Sequence, residues 1–184
     1  TADHLTLTGV VVSLGAAVAI GNGALRLGLV LLVLTSLPDL LDGAVAKASG
    51  TASTRGAFFD SVADRFTDAL LFGGVAWHLA TIEPGRLAVL PMAVLGASML
   101  ISYQRAKAES LGFEAKGGIM ERAERLIALG IGLLFNQWLV VILWVMLVLT
   151  LVTAVQRFAK VWKQATAATP VLAARGTMRS RARS

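Results

Sequence analysis

Asp39-Leu-Leu-Asp42-Gly43-Ala-Val-Ala46-Lys47, eight further residues, then Gly56-Ala-Phe-Phe-Asp60-Ser-Val-Ala-Asp64-Arg65-Phe-Thr-Asp68 is the stretch whose reading decides the fold. Five of the chain's six aspartates lie in it, with long apolar runs on both sides. Carboxylates are costly in hydrocarbon, so acids embedded in apolar sequence are functional candidates. The chain is 56% hydrophobic, with a mean hydropathy of +0.72. That composition points to a polytopic membrane protein rather than a soluble domain.

Working outward, six apolar segments emerge, at about 5–20, 25–41, 57–80, 87–102, 124–135 and 138–155, the first slightly short for a span. They predict an all-α integral membrane protein of six transmembrane helices. Pro38 should loosen the second helix just before the first aspartate pair. Residues 48–55 and 111–123 read as connections. Residues 1–165 form one membrane domain, and 166–184, rich in Ala, Thr and Arg, are expected to be a disordered, basic cytoplasmic tail. The first apolar run has no basic leader, so no cleavable signal peptide is expected.

The net charge is +6. In a soluble chain this would suggest nucleic acid. Here the basic residues lie between apolar runs, so anionic lipid or phosphate is the better partner. With six spans, fourteen Lys and Arg fall on one side, only Arg26 and Arg86 on the other, and Arg65 within a helix. By the positive-inside rule the aspartates open into a polar cavity on the cytoplasmic side of the cell membrane. The absence of cysteine excludes disulfides and thiolate chemistry.

Asp39 and Asp42 are three apart, Asp60, Asp64 and Asp68 four apart, so each set shares a helix face. Two like charges at about 4 Å repel by roughly 4 kcal/mol at an effective dielectric near 20, so the set needs cations. Oxygen-only ligation suits Mg²⁺, Mn²⁺ or Ca²⁺ rather than zinc. Two such ions about 3.5–4 Å apart suit phosphoryl chemistry. Gly43 and Ala46 leave room for a ligand. Asp68, deepest along its helix, is read as structural and paired with Arg65. Glu121 and Glu124 are read as orienting Arg122 and Arg125. The basic residues near the helix ends have an ordinary reading as interfacial anchors.

At these positions the sequence resembles the CDP-alcohol phosphotransferase family, whose pattern is Asp-x2-Asp-Gly-x2-Ala-Arg, seven or eight residues, Gly-x3-Asp-x3-Asp. Lys47 is the one departure; it keeps the charge of Arg but loses bidentate phosphate geometry. Ser102-Tyr-Gln-Arg105-Ala-Lys107-Ala-Glu109, Gly117-Gly118-Ile-Met-Glu121-Arg122-Ala-Glu124-Arg125-Leu and Gln156-Arg157 resemble its phosphatidylinositol-phosphate synthase branch. The resemblance implies a homodimeric membrane enzyme with a CDP-diacylglycerol donor and divalent metal, two Mg²⁺ ions or Mn²⁺ in their place. It implies metal ligands at Asp39, Asp42, Asp60 and Asp64, with Asp64 also the catalytic base. It places Gly43, Lys47 and Ser53 against the CDP moiety, with Ala2, Asp3, His4 and Leu5 capping it. Arg105, Arg125 and Arg157 would hold the acceptor's phosphate.

The expected reaction joins phosphatidyl to inositol 1-phosphate, giving phosphatidylinositol phosphate and CMP. Glycerol 3-phosphate or inositol as acceptor is the nearest alternative. A divalent-cation transporter is a different one, but it would need acids spread through the membrane depth, whereas these cluster near one face.

Overall fold

A computed structural model describes residues 2–36, 54–83 and 85–181, with residues 2, 3, 5 and 169–181 as backbone alone. Among the described residues all regular structure is helical. The helices are α1 (Ala2–Gly21), α2 (Leu25–Ser36), α3 (Thr54–Ile82), α4 (Val89–Ser110), α5 (Arg122–Leu134) and α6 (Leu139–Arg181). Short 3₁₀ turns, Arg86–Ala88 and Asn136–Trp138, lead into α4 and α6.

The turn between α1 and α2 follows from one glycine. Gly23 takes φ +82, its N–H bonds to Ile20 O at 2.9 Å, and Ala24 N–H bonds back to Ala19 O at 2.9 Å. This paired closure ends a helix with a left-handed residue, which glycine adopts without a Cβ penalty. The same device ends α4: Gly112 has φ +79, and Phe113 N–H returns to Ala108 O at 2.9 Å.

The helix α1 lies along α3, α3 also meets α4, and α6 is flanked by α4 and α5. Small residues set the closest crossing. A Cβ at Gly74 of α3 would stand 2.6 Å from Ala17 O of α1, and Ser13 and Ala16 of α1 are fully buried. Close backbone approach between small residues is how helices associate where lipid supplies no hydrophobic drive. The core gathers Phe72, Val75 and Leu79 of α3 with Val94, Leu129, Leu143 and Met146. His78, near the end of α3, is buried and faces Gly23 in the turn between α1 and α2. Buried hydroxyls of Thr35, Ser98 and Thr150 donate to carbonyls four residues back, so no added partner is needed in an apolar interior.

Large apolar side chains also cover the outside, among them Val11 and Leu14 of α1 and Trp144, Val148 and Val155 of α6. Helices apolar on both faces suit a lipid surround. Two stretches, Arg86–Ser110 and Asn136–Ala168, are long and apolar enough to cross a membrane, and Thr6–Gly21 and Leu25–Ser36 are shorter apolar helices. Charged residues in the first half of α3 dilute its hydropathy. The thirteen residues of α5 reach only about 20 Å of a roughly 30 Å hydrocarbon layer.

Three boundaries differ from the sequence reading. The helix α3 begins at Thr54, taking Arg55 into its first turn. The helix α5 begins at Arg122, with Glu121 as an extended N-cap. The backbone of α6 stays helical to Arg181, across the expected disordered tail.

Candidate active site

The row Asp60, Asp64, Asp68 runs up one face of α3, and its exposure falls at each step. Asp60 is exposed, the Asp64 side chain is 20% exposed and that of Asp68 is 1% exposed. A carboxylate as enclosed as Asp68 requires a cation. The first turn of α5 supplies it, because Arg122 and Arg125 are three apart and face α3 together. Arg125 Nη2 donates to Asp68 Oδ2 at 2.9 Å, and this guanidinium is itself only 2% exposed. Arg122 lies between the two acids: its Nη1 is 2.9 Å from Asp64 Oδ1 and its Nε is 3.6 Å from Asp68 Oδ1.

This corrects the expected Asp68–Arg65 pair. Arg65 instead reaches Asp64 Oδ2, at 3.7 Å. Residues 64 and 68 lie about 40° apart on a helix, whereas 65 is turned about 100° from 64, toward the more exposed side. Among the described residues, the arginines that reach Asp68 come from α5. Glu121 likewise does not orient Arg122. Its Oε1 accepts from Arg157 Nη2 at 2.7 Å and from Gly117 N–H at 3.1 Å.

The three arginines assigned to the acceptor have different surroundings. Arg157 is 5% exposed and donates through Nε to Gly117 O at 2.9 Å and through Nη1 to Ile101 O at 3.0 Å, besides its bond to Glu121. Three of the five N–H donors of a guanidinium are thus committed, leaving two. Arg125 Nη1 makes a long bond to Met120 O, 3.4 Å. Both arginines therefore converge on residues 117–121. Arg105 lies at the exposed end of α4, paired with Glu109 at 3.0 Å. None of its described contacts reaches Arg125 or Arg157.

Asp39, Asp42, Gly43, Lys47 and Ser53, together with Pro38, lie outside the described residues. Ala2, Asp3 and Leu5 belong to the first turn of α1, and His4 beside them is exposed. Among the described residues no three acidic or histidine side chains gather as a metal site. The described aspartates Asp60 and Asp64 offer carboxylate oxygens, the ligand type that hard divalent ions take, and Asp64 is paired with Arg122 at 2.9 Å.

Beside this ionic cluster lies an apolar groove of about 580 Å³ between α2 and α5. Leu29, Leu32 and Val33 form one wall, and Leu126, Ile127, Ile131 and Leu134 the other. Gly130 at its floor lets α2 come close; a Cβ there would stand 3.3 Å from Leu29 Cδ1. The polar members are Ser36, three residues before Asp39, and Arg122, which is also the partner of Asp64. One side chain thus joins the carboxylate row to a trough suited to hydrocarbon. Neither the groove nor Arg122's part in it was anticipated from the sequence, although Arg122 and Arg125 at a spacing of three were a visible signal.

Residues 1–168 match the family model described as CDP-alcohol phosphatidyltransferase. The archaetidylinositol phosphate synthase of Methanothermobacter thermautotrophicus is 36% identical over 169 residues, covering 89% of this chain and 84% of that protein. The phosphatidylinositol phosphate synthase of Mycobacterium marinum is 37% identical over 172 residues, covering 88% and 74%. The crystal structure of Mycobacterium tuberculosis phosphatidylinositol phosphate synthase with CDP-DAG bound superposes with a TM-score of 0.81 at 32% identity, covering 88% of this chain and 86% of that one. The same enzyme in complex with manganese and citrate gives 0.81 at 33% identity, covering 88% and 82%. The chain belongs to the CDP-alcohol phosphatidyltransferase family and is a phosphotransferase of that kind.

Proposed function

We propose that the protein transfers phosphatidyl from CDP-diacylglycerol to inositol 1-phosphate, releasing CMP and forming phosphatidylinositol phosphate. The observation that carries this reading is Arg122, which lines the apolar groove and pairs with Asp64. A substrate with acyl chains in the groove would place its phosphate end beside the aspartates. The named relatives act in the same branch of chemistry.

Asp64 takes the proton from an acceptor hydroxyl. That oxygen then bonds to the phosphorus bearing the diacylglycerol, and the bond from this phosphorus to the CMP oxygen breaks, so that CMP leaves with the electron pair. Asp39, Asp42, Asp60 and Asp64 would hold two Mg²⁺ ions, or Mn²⁺, supplying positive charge to the phosphate oxygens. Gly43, Lys47, Ser53 and the residues 2–5 would meet the CDP moiety. Arg105, Arg125 and Arg157 would hold the acceptor phosphate, a task suited to planar guanidinium groups.

The same reading has six membrane spans, a homodimer, and a site facing the cytoplasm in the cell membrane. The apolar exterior and the basic bias of one side support it. The test is CMP release by purified protein given CDP-diacylglycerol, Mg²⁺ or Mn²⁺, and separately inositol 1-phosphate, inositol or glycerol 3-phosphate. Release with inositol 1-phosphate is expected. Release with glycerol 3-phosphate alone overturns the acceptor, and release with none overturns the reaction.

A further inference from the structure

Between α4 and α5, residues 111–121 run without helix or strand. Backbone groups in such a stretch must find partners outside regular structure. Here α6 supplies them from one face. Gln164 grips a single residue at both ends: Glu114 N–H donates to its Oε1 at 2.9 Å, and its Nε2 donates to Glu114 O at 2.7 Å. Lys160 Nζ donates to Lys116 O at 3.0 Å, and Arg157 Nε to Gly117 O at 2.9 Å. Met120 N–H donates to Thr153 Oγ1 at 3.0 Å.

Residues 164, 160, 157 and 153 are separated by four, three and four, which is one helical stripe. They meet residues 114, 116, 117 and 120 in order, so the connection runs antiparallel to α6. Close approach is possible because position 118 is glycine, at φ +146; a Cβ there would collide with Thr153 Cγ2. The far end of this ladder is the proposed acceptor side. Arg157 binds Glu121, Arg125 reaches Met120 O, and Arg125 N–H bonds Glu121 O at 3.2 Å.

We propose that Gln164 is a positioning residue for the anionic acceptor. By fixing the register of residues 114–120 on α6, it sets the guanidinium groups of Arg125 and Arg157. A primary amide suits this role because it both donates and accepts, and so satisfies the N–H and C=O of one residue. The inference rests on the reading of these arginines as acceptor ligands. Gln164 lies outside the aspartate motif and touches none of its described residues.

The test uses full-length Gln164→Ala and Gln164→Glu in detergent or vesicles. Two exposed hydrogen bonds at the weak end of the usual net range correspond to a change of about five- to tenfold. The Ala variant is therefore expected to raise KM for inositol 1-phosphate by that factor, with kcat, KM for CDP-diacylglycerol and melting temperature held. The Glu variant keeps an acceptor for Glu114 N–H but sets a carboxylate oxygen against Glu114 O, so a rise at least as large is expected. Hydrogen exchange at the amides of Glu114 and Met120 should quicken in the Ala variant. Unchanged exchange overturns the ladder. Faster exchange with acceptor KM unchanged, or with both KM values raised equally, overturns the positioning role. Wild-type protein that releases no CMP with inositol 1-phosphate overturns the acceptor reading instead, and the exchange measurement still decides the ladder.

Discussion

Arg122 Nη1 stands 2.9 Å from Asp64 Oδ1, joining the first turn of α5 to the carboxylate proposed as base. Asparagine at 64 would keep an oxygen for Arg122 but lose both the negative charge and the ability to take a proton. Asp64→Asn is expected to lower kcat by about 10²–10⁴-fold, the range that general-base assistance contributes. Donor affinity, measured by calorimetry with CDP-diacylglycerol, should stay within about threefold. Near-normal turnover would place the base elsewhere.

Asp68 and Arg125 form the most enclosed ion pair described, at 1% and 2% exposure. Losing one member leaves an uncompensated buried charge, which costs about 3–5 kcal/mol. Asp68→Leu or Arg125→Met alone should therefore depress the melting temperature in detergent sharply. The double variant should recover most of the loss, because an apolar pair of similar volume is tolerated where an ion pair was. A double variant no more stable than the singles would show that Arg122 needs Asp68 as well.

How far the sequence carried depended on the kind of interaction. The helices were legible because apolar runs and glycine turns are local, and Gly23 closes α1 as its place after an apolar run suggests. The shared face of Asp60, Asp64 and Asp68 was legible because they recur at one helical spacing. The partner of Asp68 was not, since 57 residues separate it from Arg125, and nothing local distinguishes Arg125 from Arg65.

Gly74 offers a test of the α1–α3 crossing. A Cβ there meets the Ala17 backbone at 2.6 Å, and backbone cannot swing aside as a flexible side chain can. Gly74→Ala should cost about 1–3 kcal/mol, the usual penalty of overpacking. Gly73, with open space around it, is the control, and Gly73→Ala should leave the melting temperature unchanged or raised. Equal effects at the two positions would argue against the close crossing.

Removal of divalent metal by EDTA should abolish CMP release and restore it on adding Mg²⁺ or Mn²⁺, without unfolding the protein. The helices are expected to hold without the ion, because Asp64 and Asp68 already have Arg122 and Arg125 as cations. Circular dichroism with and without EDTA measures this, and loss of helix on chelation would contradict it.

The groove makes the last prediction. Its walls are apolar, and a Cβ at Gly130 would stand 3.3 Å from Leu29 Cδ1. Gly130→Leu would fill space proposed for an acyl chain and press on Leu29 of α2, so the melting temperature is measured alongside. Displacing two or so methylenes is worth about 0.8 kcal/mol each, or roughly tenfold in affinity. KM for long-chain CDP-diacylglycerol should rise by that factor, KM for the acceptor should hold, and a short-chain donor should be affected less. A variant that impairs both donors equally would mean that the groove holds something other than the donor's acyl chain.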